Sequence, residues 1–249
     1  MQEREYVSMS LLEQTHWWFV SKRLFFEKIL NRCGIVKGGG LVILDVGAGT
    51  GGAISFLSKF GKVIGIEPNR MGRTLALNRG IHLRNATAEK TKMKSESCDL
   101  VCFFDVLYHQ NIHERKVLSE ALRILKPNGL LLVSDCAFPF LMSPHDKVFG
   151  AARRYTISTL SQPIKSVGFS IRYSTYAFFV LFPIFLAWRG FQVIKSRLYK
   201  DSQLQSDVSD VPVWLNIIFR ILCTIESLGY GWMRYPWGSS VIILAQKTK

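Results

Sequence analysis

Apolar and polar positions alternate along this chain of 249 residues on two different periods. Residues 1–40 read as helix, with Leu11, Leu12, Trp18, Phe19, Leu24, Phe25 and Leu30 set among charges. Gly38-Gly39-Gly40 ends that section. Short apolar runs of strand type then alternate with helical segments. The runs are 41–46, 62–67, a weaker one at 81–85, 98–104 and 130–135. The helices between them are 52–60, 69–78 and 112–125, and Lys126-Pro127-Asn128-Gly129 reads as a turn. Beyond Pro144 come a short helix at 158–167, a strand at 169–173 and a final strand at 240–245. Apolar strands joined through helices imply a parallel sheet covered on both faces.

Two hydrophobic stretches interrupt this rhythm before the last strand. They are 176–194 and 213–228, separated by a polar loop at 200–210. The expected division is therefore a helical cap (1–40), an α/β core (41–175), an apolar helical insertion (176–238) and the last core strand (239–249). The uncharged part of the first stretch ends at Trp188 and contains Pro183. Twelve residues of helix reach about 18 Å, short of the ~30 Å of a bilayer core. Arg189, Lys195, Arg197 and Lys200 follow at once. An apolar helix flanked by cations fits an in-plane anchor on an anionic membrane. It equally fits packing on the sheet or on a partner subunit.

The chemistry concentrates after the first strand, in Asp45-Val46-Gly47-Ala48-Gly49-Thr50-Gly51-Gly52. Glycines let a backbone turn tightly and approach a ligand, and the helix behind them offers free N–H groups. No Gly-Lys-Ser/Thr follows, which argues against a nucleoside triphosphate. Gly47-x-Gly49-x-x-Gly52 with Glu67 downstream formally matches a dinucleotide fingerprint. Asp45 weighs against that reading, because a carboxylate inside the turn repels pyrophosphate and attracts an ammonium group. S-adenosylmethionine carries an ammonium and a sulfonium and no phosphate. Glu67 closes the second strand, where a carboxylate can accept both ribose hydroxyls.

These residues resemble the class I methyltransferase pattern, and the resemblance extends along residues 41–136. Asn85-Ala86-Thr87-Ala88-Glu89 is similar to the loop that lies along the adenine, with Thr87 in place of the usual acid. Asp99-Leu100-Val101 and Phe104-Asp105-Val106-Leu107-Tyr108-His109 match the fourth strand and its end, with Tyr108 replacing a Glu. Residues 122–129 match the turn before strand five. The resemblance implies a Rossmann-like sheet of seven strands, mostly parallel with an antiparallel last strand. It implies S-adenosylmethionine as cofactor, held by Asp45, Gly47, Ala48, Gly49, Thr50, Gly51, Glu67, Pro68, Thr87, Ala88, Glu89, Asp105, Val106 and His109. The pattern is similar to that of the methyltransferase type 11 group.

His16-Trp17-Trp18-Phe19, followed by Lys22-Arg23, resembles a subgroup associated with polysaccharide or lipid-linked glycan assembly. In that subgroup His-Asp and Gly-His-x-Arg-Arg-Tyr follow strand five. This chain has His145-Asp146 and Gly150-Ala151-Ala152-Arg153-Arg154-Tyr155, with Ala151 replacing a histidine. The resemblance implies acceptor contacts from Trp18, Arg153, Arg154 and Tyr155, and a base at His145 or His109. The N-terminal aromatics are expected first as the buried face of an amphipathic helix, with a lid over cofactor and substrate as the alternative.

Charge narrows the partners. The net charge is +14, and residues 147–249 hold 13 basic against 4 acidic groups. A basic surface implies an anionic partner. Nucleic acid is disfavoured, because the basic half is apolar and strand four lacks the Asn/Asp-Pro-Pro-aromatic grip on a flipped base. None of the five cysteines has C-x-x-C spacing, so they are expected reduced and buried, with no metal site. The charged, polar opening residues do not read as a secretory signal. The expectation is a cytoplasmic enzyme, peripheral at the inner membrane face, acting on a glycan, lipid-linked sugar or similar amphiphile. A small apolar metabolite such as a quinone or isoprenoid is the alternative acceptor, and a catalytically inactive cofactor-binding partner subunit the non-enzymatic reading.

Overall fold

The computed structural model describes residues 3–142, 146, 150–188 and 211–248. Seven strands form one sheet: β1 (Leu41–Val46), β2 (Gly61–Ile66), β3 (Leu83–Arg84), β4 (Cys98–Phe104), β5 (Leu125–Cys136), β6 (Phe169–Ala177) and β7 (Ser240–Lys247). Their order is β3-β2-β1-β4-β5-β7-β6. β7 runs antiparallel to both β5 and β6, and the other pairs are parallel. This is the seven-stranded Rossmann-like sheet that the family resemblance implies, and its parallel part is the one the alternating pattern predicts. The strand order reverses direction between β1 and β4, and such a switch point opens a crevice at the carboxyl ends of the strands.

Seven helices accompany the sheet: α1 (Glu3–Leu12), α2 (Trp17–Arg32), α3 (Ile54–Leu57), α4 (Arg70–Leu77), α5 (Glu114–Ile124), α6 (Ile157–Ser166) and α7 (Val213–Ser227). Residues 182–188 are also helical. On one face, Val117, Leu118 and Ala121 of α5 and Leu160 and Ile164 of α6 pack with Leu44, Val101, Val133 and Ile243. On the other, Phe25, Phe26, Ile29 and Leu30 of α2 pack with Ile43, Leu100, Leu132 and Leu244. Thus α2 is a core layer of the domain. Trp17 is buried among Phe178, Phe185 and Phe219, with ring centroids 5.0–5.8 Å apart.

α7 is fastened to that layer by polar groups. The Asn216 amide accepts from Trp17 N at 2.6 Å and donates to Thr15 O at 3.1 Å. Buried Glu226 accepts from Phe179 N and Val180 N at 3.0 and 3.1 Å. Among the described residues, no helix is long and apolar enough to cross a membrane.

Several local expectations change. The turn expected at 126–129 is absorbed into β5, because Leu125 already pairs with Cys98 before pairing resumes at Leu100 and Leu130. Asn128, at φ 64°, makes the intervening bulge. β6 runs on to Ala177 because β7 supplies partners as far as Ser240. The helix expected at 52–60 is regular only over Ile54–Leu57. All five cysteines are free thiols, as expected, but Cys33 and Cys136 are only half-buried. The loop 200–210 and the cations Arg189, Lys195, Arg197 and Lys200 lie outside the described residues.

Candidate active site

β1 ends in the glycine loop. Gly47, Gly49 and Gly51 have φ of 70°, 59° and 86°, the left-handed region that side chains disfavour. A β-carbon at Gly47 would lie 2.8 Å from Val106 Cγ2, and one at Gly49 2.7 Å from Met9 Cε. The loop is therefore both bent and closely walled. Gly47 N and Ala48 N donate to Ile66 O, which ties it to the end of β2. Thr50 is fully buried within it.

Three carboxylates converge here. Asp45 is 2% exposed, and its Oδ2 has no hydrogen-bond partner. Burial, reinforced by the charges of Glu67 and Glu13, pushes its carboxyl up to about 8. Glu67 accepts from Gly49 N and Asn69 N, each at 2.9 Å, and from the Tyr6 hydroxyl at 3.2 Å. Burial still raises it against those bonds. Glu13 is raised by burial and paired with Arg79. An orphaned buried oxygen in an acidic, tightly turned loop fits a ligand that brings positive charge and hydroxyl donors. It does not fit a pyrophosphate. The residues present thus suit S-adenosylmethionine, which brings an ammonium and two ribose hydroxyls.

Sequence reasoning missed what covers this loop. α1 lies over it, with Met9 against Gly49 and Tyr6 bonded to Glu67 and packed beside Gly72. Arg23 of α2 donates to Glu13 O at 2.7 Å, bracing the turn between the helices. Tyr6, Met9 and Glu13 carry no local motif; only the fold brings them to Glu67, Gly49 and Arg79, 40 or more positions away. Pro68 and Thr87 are exposed, while Ala88 is buried in the core. Glu89 accepts from His113 N at 3.3 Å. It lines an open surface depression with Arg115, Arg123 and Arg153, away from the glycine loop.

Across the switch point, the ends of β4 and β5 form a second charged cluster. Asp105 holds φ 57° and receives both bonds of the Lys22 ammonium, at 2.7 and 2.6 Å. Lys22 is buried, and its ammonium lies 4.4 Å from the Trp18 ring centroid. Asp135 is fully buried, accepts from Tyr108 N and Cys136 N, and is held well above the usual carboxylate range by burial and Asp105. Asp105, Asp135 and Cys136 bring ligand-type atoms within 4.8 Å of one another, and Lys22 is the cation that balances them. His109 is half-buried and stacks on Tyr108 with centroids 4.2 Å apart.

The residues after β5 divide. His145 lies outside the described residues. Arg154 is buried and makes two bonds to Asp146, at 3.2 and 2.6 Å, and one to Ala137 O at 3.1 Å. The Tyr155 hydroxyl donates to Leu107 O at 3.0 Å and bonds Glu114. Both side chains spend their polar groups on the protein. Arg153 stays part-exposed, 3.6 Å from Glu114. Trp18 stacks on Phe178 at 5.9 Å and faces Lys22. Of the Trp17-Trp18-Phe19 run, Trp17 is buried in the core, as expected of an amphipathic face, and the element over the glycine loop is α1.

Residues 44–133 match the sequence profile of a methyltransferase domain family. Among curated proteins no sequence matches the chain. The fold is shared with a Thermotoga maritima S-adenosylmethionine-dependent methyltransferase described as a possible histamine N-methyltransferase. That likeness has TM-score 0.61 and 21% identity, covering 98% of this chain and 96% of the other. It is shared with Haemonchus contortus phosphoethanolamine N-methyltransferase 2 bound to S-adenosylmethionine (0.56, 19%, covering 89% and 51%). Geranyl diphosphate methyltransferase bound to the same cofactor is a third (0.58, 15%, covering 92% and 85%). These likenesses establish the fold, and the profile match falls on the strands and loops that carry Asp45, Glu67 and Asp105. The chain thus carries an S-adenosylmethionine-dependent methyltransferase domain, matched by the family profile over residues 44–133, on the fold of the class I methyltransferases.

Proposed function

We propose that the enzyme methylates an oxygen or nitrogen of an amphiphilic acceptor, a glycan or lipid-linked sugar. The observation that carries this reading is the Lys22–Asp105 pair. It sits where the charged ends of β4 and β5 meet the aromatic layer of Trp18 and Phe178. A polar head would meet the carboxylates and the ammonium there, and an apolar tail would run along the aromatics.

When bound, S-adenosylmethionine supplies a methyl group on a sulfonium, a strong leaving group. The protein's share is then mainly alignment of acceptor and donor. Asp45 and Glu67 would orient the two ends of the cofactor, and Val106 would wall it. His109, stacked on Tyr108 at the end of β4, is the base we assign for an alcohol acceptor. Arg153 keeps a part-exposed guanidinium for an acceptor anion. The reading is tested by incubating the purified enzyme and labelled cofactor with lipid extracts, sugar nucleotides and small amines in parallel. Label in the lipid-linked or glycan fraction supports it. Label only in water-soluble amines overturns the acceptor class and leaves the methyltransferase intact.

A further inference from the structure

α7 is apolar on both sides. Its inner face packs Phe219, Leu222 and Cys223 into the core beside the polar anchors Asn216 and Glu226. Its outer face presents Trp214, Ile217, Ile221, Ile225 and Leu228 to solvent, each at least half exposed. Their spacing of three, four, four and three residues sets them on one stripe of the helix. A soluble surface does not carry so continuous an apolar band without a function.

The charges around the stripe select its partner. Glu226 is the only acidic residue in 211–248, and it is buried. The exposed charges of α7 and the turn that follows are Arg220 and Arg234. Arg32 joins them at the far end of the stripe, its guanidinium 4.1 Å over the ring of exposed Trp232. The band therefore has a tryptophan at each end, Trp214 and Trp232, and among the described residues of 211–248 its exposed arginines have no exposed acid beside them in sequence. Tryptophans favour the depth of lipid headgroups, and arginines pair with their phosphates. A second copy of the same face would set Arg220 and Arg234 near like charges without an acid to balance them.

We infer that α7 is an in-plane docking helix for an anionic phospholipid surface, with its apolar stripe inserted and Arg220, Arg234 and Arg32 on the phosphates. Fifteen residues of helix give a footprint about 22 Å long. The inference rests on α7 alone and is compatible with the proposed amphiphilic acceptor, which would then be taken from the same surface.

The test is flotation of the full chain with phosphatidylglycerol vesicles and with phosphatidylcholine vesicles, at low and high salt, alongside tryptophan fluorescence. The expected result is binding to phosphatidylglycerol that salt weakens, weak binding to phosphatidylcholine, and a blue shift that Trp214→Phe diminishes. Ile217→Ser with Ile221→Ser should lower vesicle affinity at least about tenfold, with S-adenosylhomocysteine affinity unchanged as proof of folding. Absence of vesicle binding overturns the inference, as does equal, salt-insensitive binding to both lipids. A concentration-dependent dimer that the serine variant dissolves also overturns it and reassigns the stripe to a subunit contact. Label transfer to an amphiphile in detergent, with no vesicle binding, would sink the docking helix and spare the acceptor assignment.

Discussion

The Tyr6 hydroxyl donates to Oε1 of Glu67 at 3.2 Å, joining α1 to the end of β2 across 61 residues of chain. The bond occupies one oxygen of the carboxylate assigned to the cofactor ribose. Two substitutions at this contact should act in opposite directions. Glu67→Ala should weaken S-adenosylhomocysteine binding by roughly 1.5–3 kcal/mol, the worth of hydrogen bonds to a charged acceptor. Tyr6→Phe should leave that affinity equal or raised while lowering stability by about 1 kcal/mol. Titration calorimetry and urea unfolding measure both. A Tyr6→Phe protein that binds as poorly as Glu67→Ala would make Tyr6 part of the binding surface.

Asp45 is expected to make cofactor binding pH-dependent. Its carboxyl titrates near about 8 in the folded chain, far above its unfolded value of 3.8. Between those values the folded state holds a proton that the unfolded state has lost. Asp45 therefore makes the ligand-free protein less stable as pH rises from about 4 to about 8. A bound ammonium favours the ionised form, so binding below about pH 8 should release a proton and tighten toward higher pH, by up to about tenfold per pH unit. Calorimetry in buffers of different ionisation enthalpy reads the proton directly. Asp45→Asn should abolish the release; an unchanged release would move the titrating group elsewhere.

Lys22 and Asp105 should be strongly coupled. Lys22→Met leaves Asp105 beside buried Asp135 without the cation that balances them, at an expected cost of about 2–4 kcal/mol. Lys22→Met with Asp105→Asn should recover a substantial part of that loss, giving a clear interaction term in a double-mutant cycle. Additive losses would show that the two charges are screened from each other.

Adjacent arginines should behave unlike each other. Arg154→Met breaks a buried pair with Asp146 and should destabilise the fold by about 3–5 kcal/mol. Arg153→Gln removes a part-exposed charge and should change stability by less than about 0.5 kcal/mol. If Arg153 meets an anionic acceptor, that variant should raise KM with kcat nearly unchanged. Thermal melts and steady-state kinetics separate the two.

The sheet and the cofactor loop were legible in the sequence because both are written locally. Apolar runs of fixed period name strands, and Asp45, Gly47, Gly49 and Glu67 fall within one strand-turn-helix-strand unit. The groups that close the site were not legible. Tyr6, Met9 and Lys22 reach Glu67, Gly49 and Asp105 through tertiary contact, and no spacing rule records such meetings. Arg154 and Tyr155 illustrate the converse. Their motif reads as an acceptor grip, yet burial commits them to Asp146, Leu107 and Glu114. The end of β6 is set in the same way, since β7, some 65 residues later, extends it through Ala177.

The Asn216 clamp on Trp17 and Thr15 spans 199 and 201 positions of chain. During synthesis the ribosome releases α2 early and α7 late. For most of that interval Trp17 lacks Phe178, Phe185 and Phe219, the rings that enclose it in the finished protein. The nascent chain must therefore carry a bare aromatic face for about ten seconds or more, at ordinary elongation rates. Fragments truncated before residue 211 should be correspondingly sticky, and the intact chain should call on holdase chaperones more heavily than its small sheet alone would require.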